Sequence, residues 1–153
     1  MALGFVLAWA MTALPFSQLL AKFLAYQAHK TVGLVVLGLV VWRLWLRARR
    51  PAPAPLVHPR AAAWGHRAIY ALLLAMPLLG YLTAQLAPGP VPTTLFLVIP
   101  VPHMMDPDPV LFAWVRPVHQ AAAWLLVGLA TGHAGMALLH HRRGLPLLSR
   151  MWR

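Results

Sequence analysis

PVHQAAAWLLVGLATGHAGMALLHH, Pro117–His141, is the stretch whose reading decides the fold. It is apolar and long enough to cross a bilayer, which takes about 20 residues at about 1.5 Å of rise each. The run nevertheless carries two histidines, His119 and His133. They stand fourteen residues apart, close to four turns, so on a helix both imidazoles leave one face roughly 21 Å apart along the axis. That is a spacing for two sites at two depths. Ionisable side chains inside a membrane helix are costly and mark functional paths, so a pair of stacked ligand positions is expected. The plainer alternative is two unrelated histidines, one at the interface and one packed on a neighbouring helix.

Composition places the rest of the chain in the same solvent. Of 153 residues 61% are hydrophobic and 10% charged, the balance of a membrane protein rather than a soluble domain. Lys and Arg number 13 against two acids, for a formal net charge of +11; the acids are Asp106 and Asp108. The basic residues cluster between apolar runs, which is how loop charge orients membrane helices. A nucleic-acid binder would instead carry its basic surface on a polar fold, so no nucleic-acid partner is expected. The absence of cysteine removes disulfides, thiolate metal sites and cysteine-ligated iron–sulfur clusters.

Hydropathy divides the chain into four spans, at about 1–20, 29–46, 62–86 and 117–141, so an all-α membrane protein with a four-transmembrane-helix bundle is expected. The first span lacks a basic leader and is too long for an ordinary signal-peptide core, which reads as a retained helix. Span two has an uncharged centre of only Thr31–Trp42, flanked by Lys30 and Arg43; both must sit near interfaces or face the bundle interior. An arginine- and proline-rich connector containing His58 separates spans two and three. The stretch 87–117 is broken by prolines, and its LFLVIPV segment is expected to dip into the interface as a short amphipathic or re-entrant piece. Arginines in the connector and in the C-terminal tail place both in the cytoplasm, and hence both termini, with the Asp106/Asp108 loop outside.

Spans two and four then run in parallel, and His29 and His119 share the outer depth. Two neutral imidazoles on neighbouring helices, with a planar tetrapyrrole between them, make a six-coordinate haem iron of the kind used for electron transfer. A non-haem metal would want three or four ligands at one depth, usually with carboxylates, and no acid lies in any span. At the inner depth His133 has as its counterpart Arg43, fourteen residues beyond His29. Arg43 fits a haem propionate, or an ordinary interfacial anchor. Gly33, Ala123, Gly132 and Gly135 lie beside the candidate ligands, where small residues admit a flat ring; Gly128 and Gly132 also form a GxxxG helix-packing motif. His66 opens span three beside Arg67, and His103 falls in a loop. His140 and His141, with Arg142 and Arg143, end span four where they can meet a quinone head or lipid phosphates.

In HKTVGLVVLGLVVWRLWLR at His29–Arg47, WGHRAIYALLLAMPLLGYL at Trp64–Leu82 and VHQAAAWLLVGLATGHAGMALLHH at Val118–His141, the chain resembles the bacterial four-helix dihaem cytochromes called cytochrome b561. The resemblance covers nearly the whole chain. It implies two b haems, the outer one held by His29 and His119 and the inner one by His133 and a histidine at the cytoplasmic start of span one. No histidine precedes His29 here. The expectation is that this ligand lies a few positions upstream of Met1; the alternatives are an inner iron that is five-coordinate or absent, or one that takes His66. The resemblance also implies residence in the bacterial cytoplasmic membrane, with electrons passing between the periplasmic side and ubiquinone. Superoxide is one donor in such a family, and a soluble redox enzyme is the alternative partner. A cofactor-free membrane scaffold is the rival from another class.

Overall fold

The computed structural model describes residues 2–49, 59–89 and 91–144. The elements in chain order are α1 (Ala2–Ala13), α2 (Leu19–Arg49), α3 (Pro59–Leu86), β1 (Thr93–Leu95), β2 (Ile99–Val101) and α4 (Pro109–Arg142), with one 3-10 turn at Phe16–Gln18. The segments Phe16–Arg49, Arg60–Leu86 and Pro109–Arg142 are long and apolar enough to cross a membrane, and Ala2–Ala13 is a shorter apolar helix. The fold is thus a helical membrane bundle. α1 packs on α2, α2 on α3 and α3 on α4, and among the described residues α2 and α4 share no comparable seam.

Each helix boundary has a local cause. The apolar run expected at 1–20 divides after Ala13, because Pro15 disfavours helical backbone at Leu14. Lys22 Nζ then donates to the Leu14 carbonyl at 2.7 Å, meeting one of the carbonyls left free at the end of α1. The second span begins ten residues before His29, at Leu19. Nothing in LLAKFLAYQ breaks a helix, and the two lysines do not interrupt it because their ammonium groups turn onto carbonyls, Lys30 Nζ onto Val91 O at 2.8 Å.

The fourth span likewise starts early. Asp108 accepts hydrogen bonds from Val110 N at 3.0 Å and Leu111 N at 2.9 Å, and Pro109 occupies the first helical position. An acidic N-cap followed by proline is a strong start signal, because both satisfy or remove orphan amides. Pro117, expected to open this span, lies inside α4, where its missing N–H frees the Ala113 carbonyl.

LFLVIPV folds as strand, turn and strand. β1 and β2 form an antiparallel hairpin in the register Thr93↔Val101, Thr94↔Pro100, Leu95↔Ile99, closed by Val98 N to Leu95 O at 3.1 Å. The hairpin lies on α2. The basic connector, His58 included, and the tail beyond Gly144 lie outside the described residues.

Apolar burial within the bundle is sparse. Among the described residues Ala25, Val40, Leu86 and Leu126 are the buried hydrophobic ones, whereas Gln27, Thr31, Gln85 and Thr93 are buried polar ones. Apolar faces turned to lipid account for much of the exposure, since lipid is as apolar as a core.

Candidate functional site

α2 and α4 carry His29 and His119 to one level, with α3 running the other way beside both. The imidazole centroids are 6.5 Å apart and the ring planes lie 84° to one another. His29 Nδ1 is 2.9 Å from the Gly4 carbonyl oxygen on α1. With its proton on Nδ1, the ring donates to that carbonyl, which fixes its orientation and frees the Nε2 lone pair. His119 rests against α3 at Gly80, where an added Cβ would stand 3.0 Å from its Cε1 and 3.6 Å from its Nε2. The ring fits because position 80 has no side chain. His119 Nδ1 is buried without a hydrogen-bond partner; the Met76 carbonyl lies close to the ring but outside hydrogen-bonding geometry.

These distances test whether a haem fits. Two metal–imidazole bonds of about 2 Å each, together with the distance from each nitrogen to its ring centre, separate the centroids by roughly 6 Å. The observed 6.5 Å matches two imidazoles on either side of one ion. Gly33, one turn beyond His29, has nothing within 4 Å of a Cβ position, so no neighbouring group crowds that turn of α2. Among the described residues no three His, Asp or Glu side chains come together to hold a metal ion without a macrocycle. The residues at this level fit a bis-imidazole haem.

The inner level is built differently. His133 is exposed on α4, and its ring meets His66 of α3 at a centroid distance of 4.9 Å with planes at 66°. That is shorter than the roughly 6 Å expected across a ligated ion, so the two rings touch each other edge-on. Arg43 reaches across to α3, where its Nε donates to the Tyr70 hydroxyl at 2.8 Å. The Arg47 guanidinium stands 5.6 Å from the Tyr70 ring centre. Between α2 and α3 at this depth lies a cleft of about 500 Å3, with Leu44, Arg47, His66, Arg67 and Tyr70 among its walls.

One spacing ties both levels together. His29 and Arg43, His119 and His133, and on the antiparallel helix Gly80 and His66 are each fourteen residues apart. Three helices therefore repeat their functional positions at the same two depths. Arg43 and His133 each find their contact on α3. Tyr70 was not among the residues singled out from sequence; its signal is its place one turn after His66, facing the arginine end of α2.

The remaining candidates are less engaged. His140 is half-buried and His141 exposed on the last turn of α4, about two turns beyond His133. His103 is exposed in the outer loop. Gly128, Gly132 and Gly135 have nothing within 4 Å of a Cβ, so the GxxxG face makes no close helix contact among the described residues.

A helical membrane protein that opposes two imidazoles across a gap of this width has the layout of a membrane b-type cytochrome. Comparison with known families agrees: the family described as Prokaryotic cytochrome b561 matches residues 1–153, and the chain belongs to it. Membership implies a b-type haem and a place in membrane electron transfer. Among curated proteins the chain is similar to "Cytochrome b561 homolog 2" of Escherichia coli (strain K12), with 36% identity over 123 residues, 76% of this chain and 64% of that protein. The match therefore spans a little less than two thirds of that relative's length.

Proposed function

We propose that the protein carries electrons between the periplasmic face of the bacterial inner membrane and the quinone pool, through a haem held by His29 and His119. The observation that carries this reading is the 6.5 Å separation of the two rings, one on α2 and the other on α4. A haem bound there supplies reversible one-electron exchange at its iron. The chain's own residues do the rest. The Gly4 carbonyl holds the His29 ring in one orientation, and Gly80 gives His119 its seat. At the inner end His140 and His141 are the candidate side chains for meeting a ubiquinone head, and His133 is the candidate ligand for a second haem. The arginines at the ends of α2 and α4 support an orientation with both termini in the cytoplasm.

Superoxide is the proposed donor. Lys22, Lys30 and Arg116 give the outer end a positive field that favours an anion, opposed in part by Asp106 and Asp108. Lys22 and Lys30 each donate to a backbone carbonyl at this end. The test is the purified protein in detergent, given superoxide and ubiquinone with no other component. Quinol formation supports the proposal; reduction only after adding a soluble dehydrogenase would make the chain a docking subunit instead. A pyridine haemochrome assay on the same sample separates one haem per chain from two.

A further inference from the structure

The outer hairpin is held by α2 in a manner that electron transfer does not require. Gln27, about 1% exposed, donates from Nε2 to Pro92 O at 2.6 Å, and its Oε1 accepts from Thr94 N at 3.1 Å. One turn further, Thr31 Oγ1 accepts from Phe96 N at 3.2 Å and donates to Thr94 O at 3.3 Å. In the register Thr93↔Val101 and Leu95↔Ile99, these four backbone groups are the edge of β1 that faces away from β2. The periods match, because two strand residues advance about 6.7 Å and four helix residues about 6 Å. α2 thus takes the place of a third strand. On the far edge, the residue of β2 turned outward is Pro100, which has no N–H to leave unpaired.

A hairpin in water has no need of such closure, since solvent meets its edges. In hydrocarbon an unpaired backbone donor is costly, and the edge donors Thr94 N and Phe96 N are both paired to α2. The direction of the strand agrees. β1 runs along α2 from Gln27 towards Thr31, so its turn points from the His29 end into the depth of the span. His29 is two residues from Gln27, about 200° around the helix, which puts the hairpin on the side of α2 away from the α2–α4 gap. Below Thr31 the same stripe continues at four-residue steps through Val35 and Leu39, both exposed on a helix long enough to cross the membrane.

The tip itself is apolar. Phe96, Leu97, Val98 and Ile99 are all exposed, Val98 at 78%. Phe96 and Leu97 have φ of 53° and 62°, a region where glycine or asparagine sits at little cost and larger side chains are strained. Bulky apolar groups kept at strained positions point to a contact that those groups make.

We propose that the hairpin is a re-entrant element whose Phe96–Ile99 tip is seated among lipid acyl chains of the leaflet at the His29 end, with Gln27 and Thr31 of α2 serving as its third strand. The chain has no cysteine, so one nitroxide can be placed cleanly. Val98→Cys is labelled in the full chain, reconstituted in phosphatidylcholine vesicles, and its collisions with oxygen and with a water-soluble nickel chelate are compared. Leu39→Cys gives the lipid reference and Asp106→Cys the aqueous one. The expected result groups Val98 with Leu39, open to oxygen and shielded from nickel. Grouping with Asp106 would overturn the proposal and leave the tip as a face for another protein. Adding Thr31→Val should raise nickel access at Val98 several-fold while haem absorbance is kept; unchanged access would overturn the third-strand role.

Discussion

The two ends of the bundle repeat one spacing and use it for different architectures. At the outer level two histidines on parallel helices oppose each other at 6.5 Å, one pinned by a carbonyl and the other seated on a glycine. At the inner level the histidines touch at 4.9 Å, one of them exposed, and arginines and a tyrosine stand close by. The lesson is that matching depth does not by itself make a ligand pair. A pair also needs its rings at the right separation, which His29 and His119 have and His66 and His133 do not.

The comparison breaks most visibly on loss of an outer histidine. His29→Ala or His119→Ala should abolish the six-coordinate spectrum of the outer haem, whereas His133→Ala should leave it in place, as read by visible absorbance and haem per protein. Gly80→Ala comes next. Its Cβ would lie 3.0 Å from His119 Cε1, and overpacking of this kind costs about 1–3 kcal/mol, roughly a fivefold to hundredfold loss of haem retention in a competition assay with apomyoglobin. Gly128→Ala, whose Cβ has open space, is the control and should change nothing.

Asp108→Ala removes the N-cap of α4 and should lower stability by about 1 kcal/mol, seen as a lower midpoint of thermal haem loss without a spectral change. The smallest effect is expected from Tyr70→Phe. It takes away the hydroxyl that accepts from Arg43 Nε, an exposed bond worth about 0.5 kcal/mol, and should leave the outer spectrum untouched.

Much of this contrast was legible in the residues. Parallel spans two and four follow from loop charge and span count, and they alone bring His29 opposite His119. Helix starts were less legible because proline has two meanings. Pro117 reads as a start by composition, yet Asp108-Pro109 is the stronger one, since only it supplies a carboxylate to two free amides. The hairpin was hidden because its stability comes from Gln27 and Thr31, more than sixty residues away in sequence, and no local pattern encodes that pairing. The contact between His66 and His133 was hidden for a similar reason. Depth can be counted along a helix, but which neighbour a side chain meets depends on how the helices rotate against each other.

The central claim is that His29 and His119 hold an iron between crossed rings. Low-temperature electron paramagnetic resonance of the oxidised, purified protein tests it most directly. Ring planes at 84° predict the strongly anisotropic low-spin ferric signal of near-perpendicular imidazoles, absent from His29→Ala and His119→Ala and retained in His133→Ala. Persistence of that signal in His119→Ala would contradict the account.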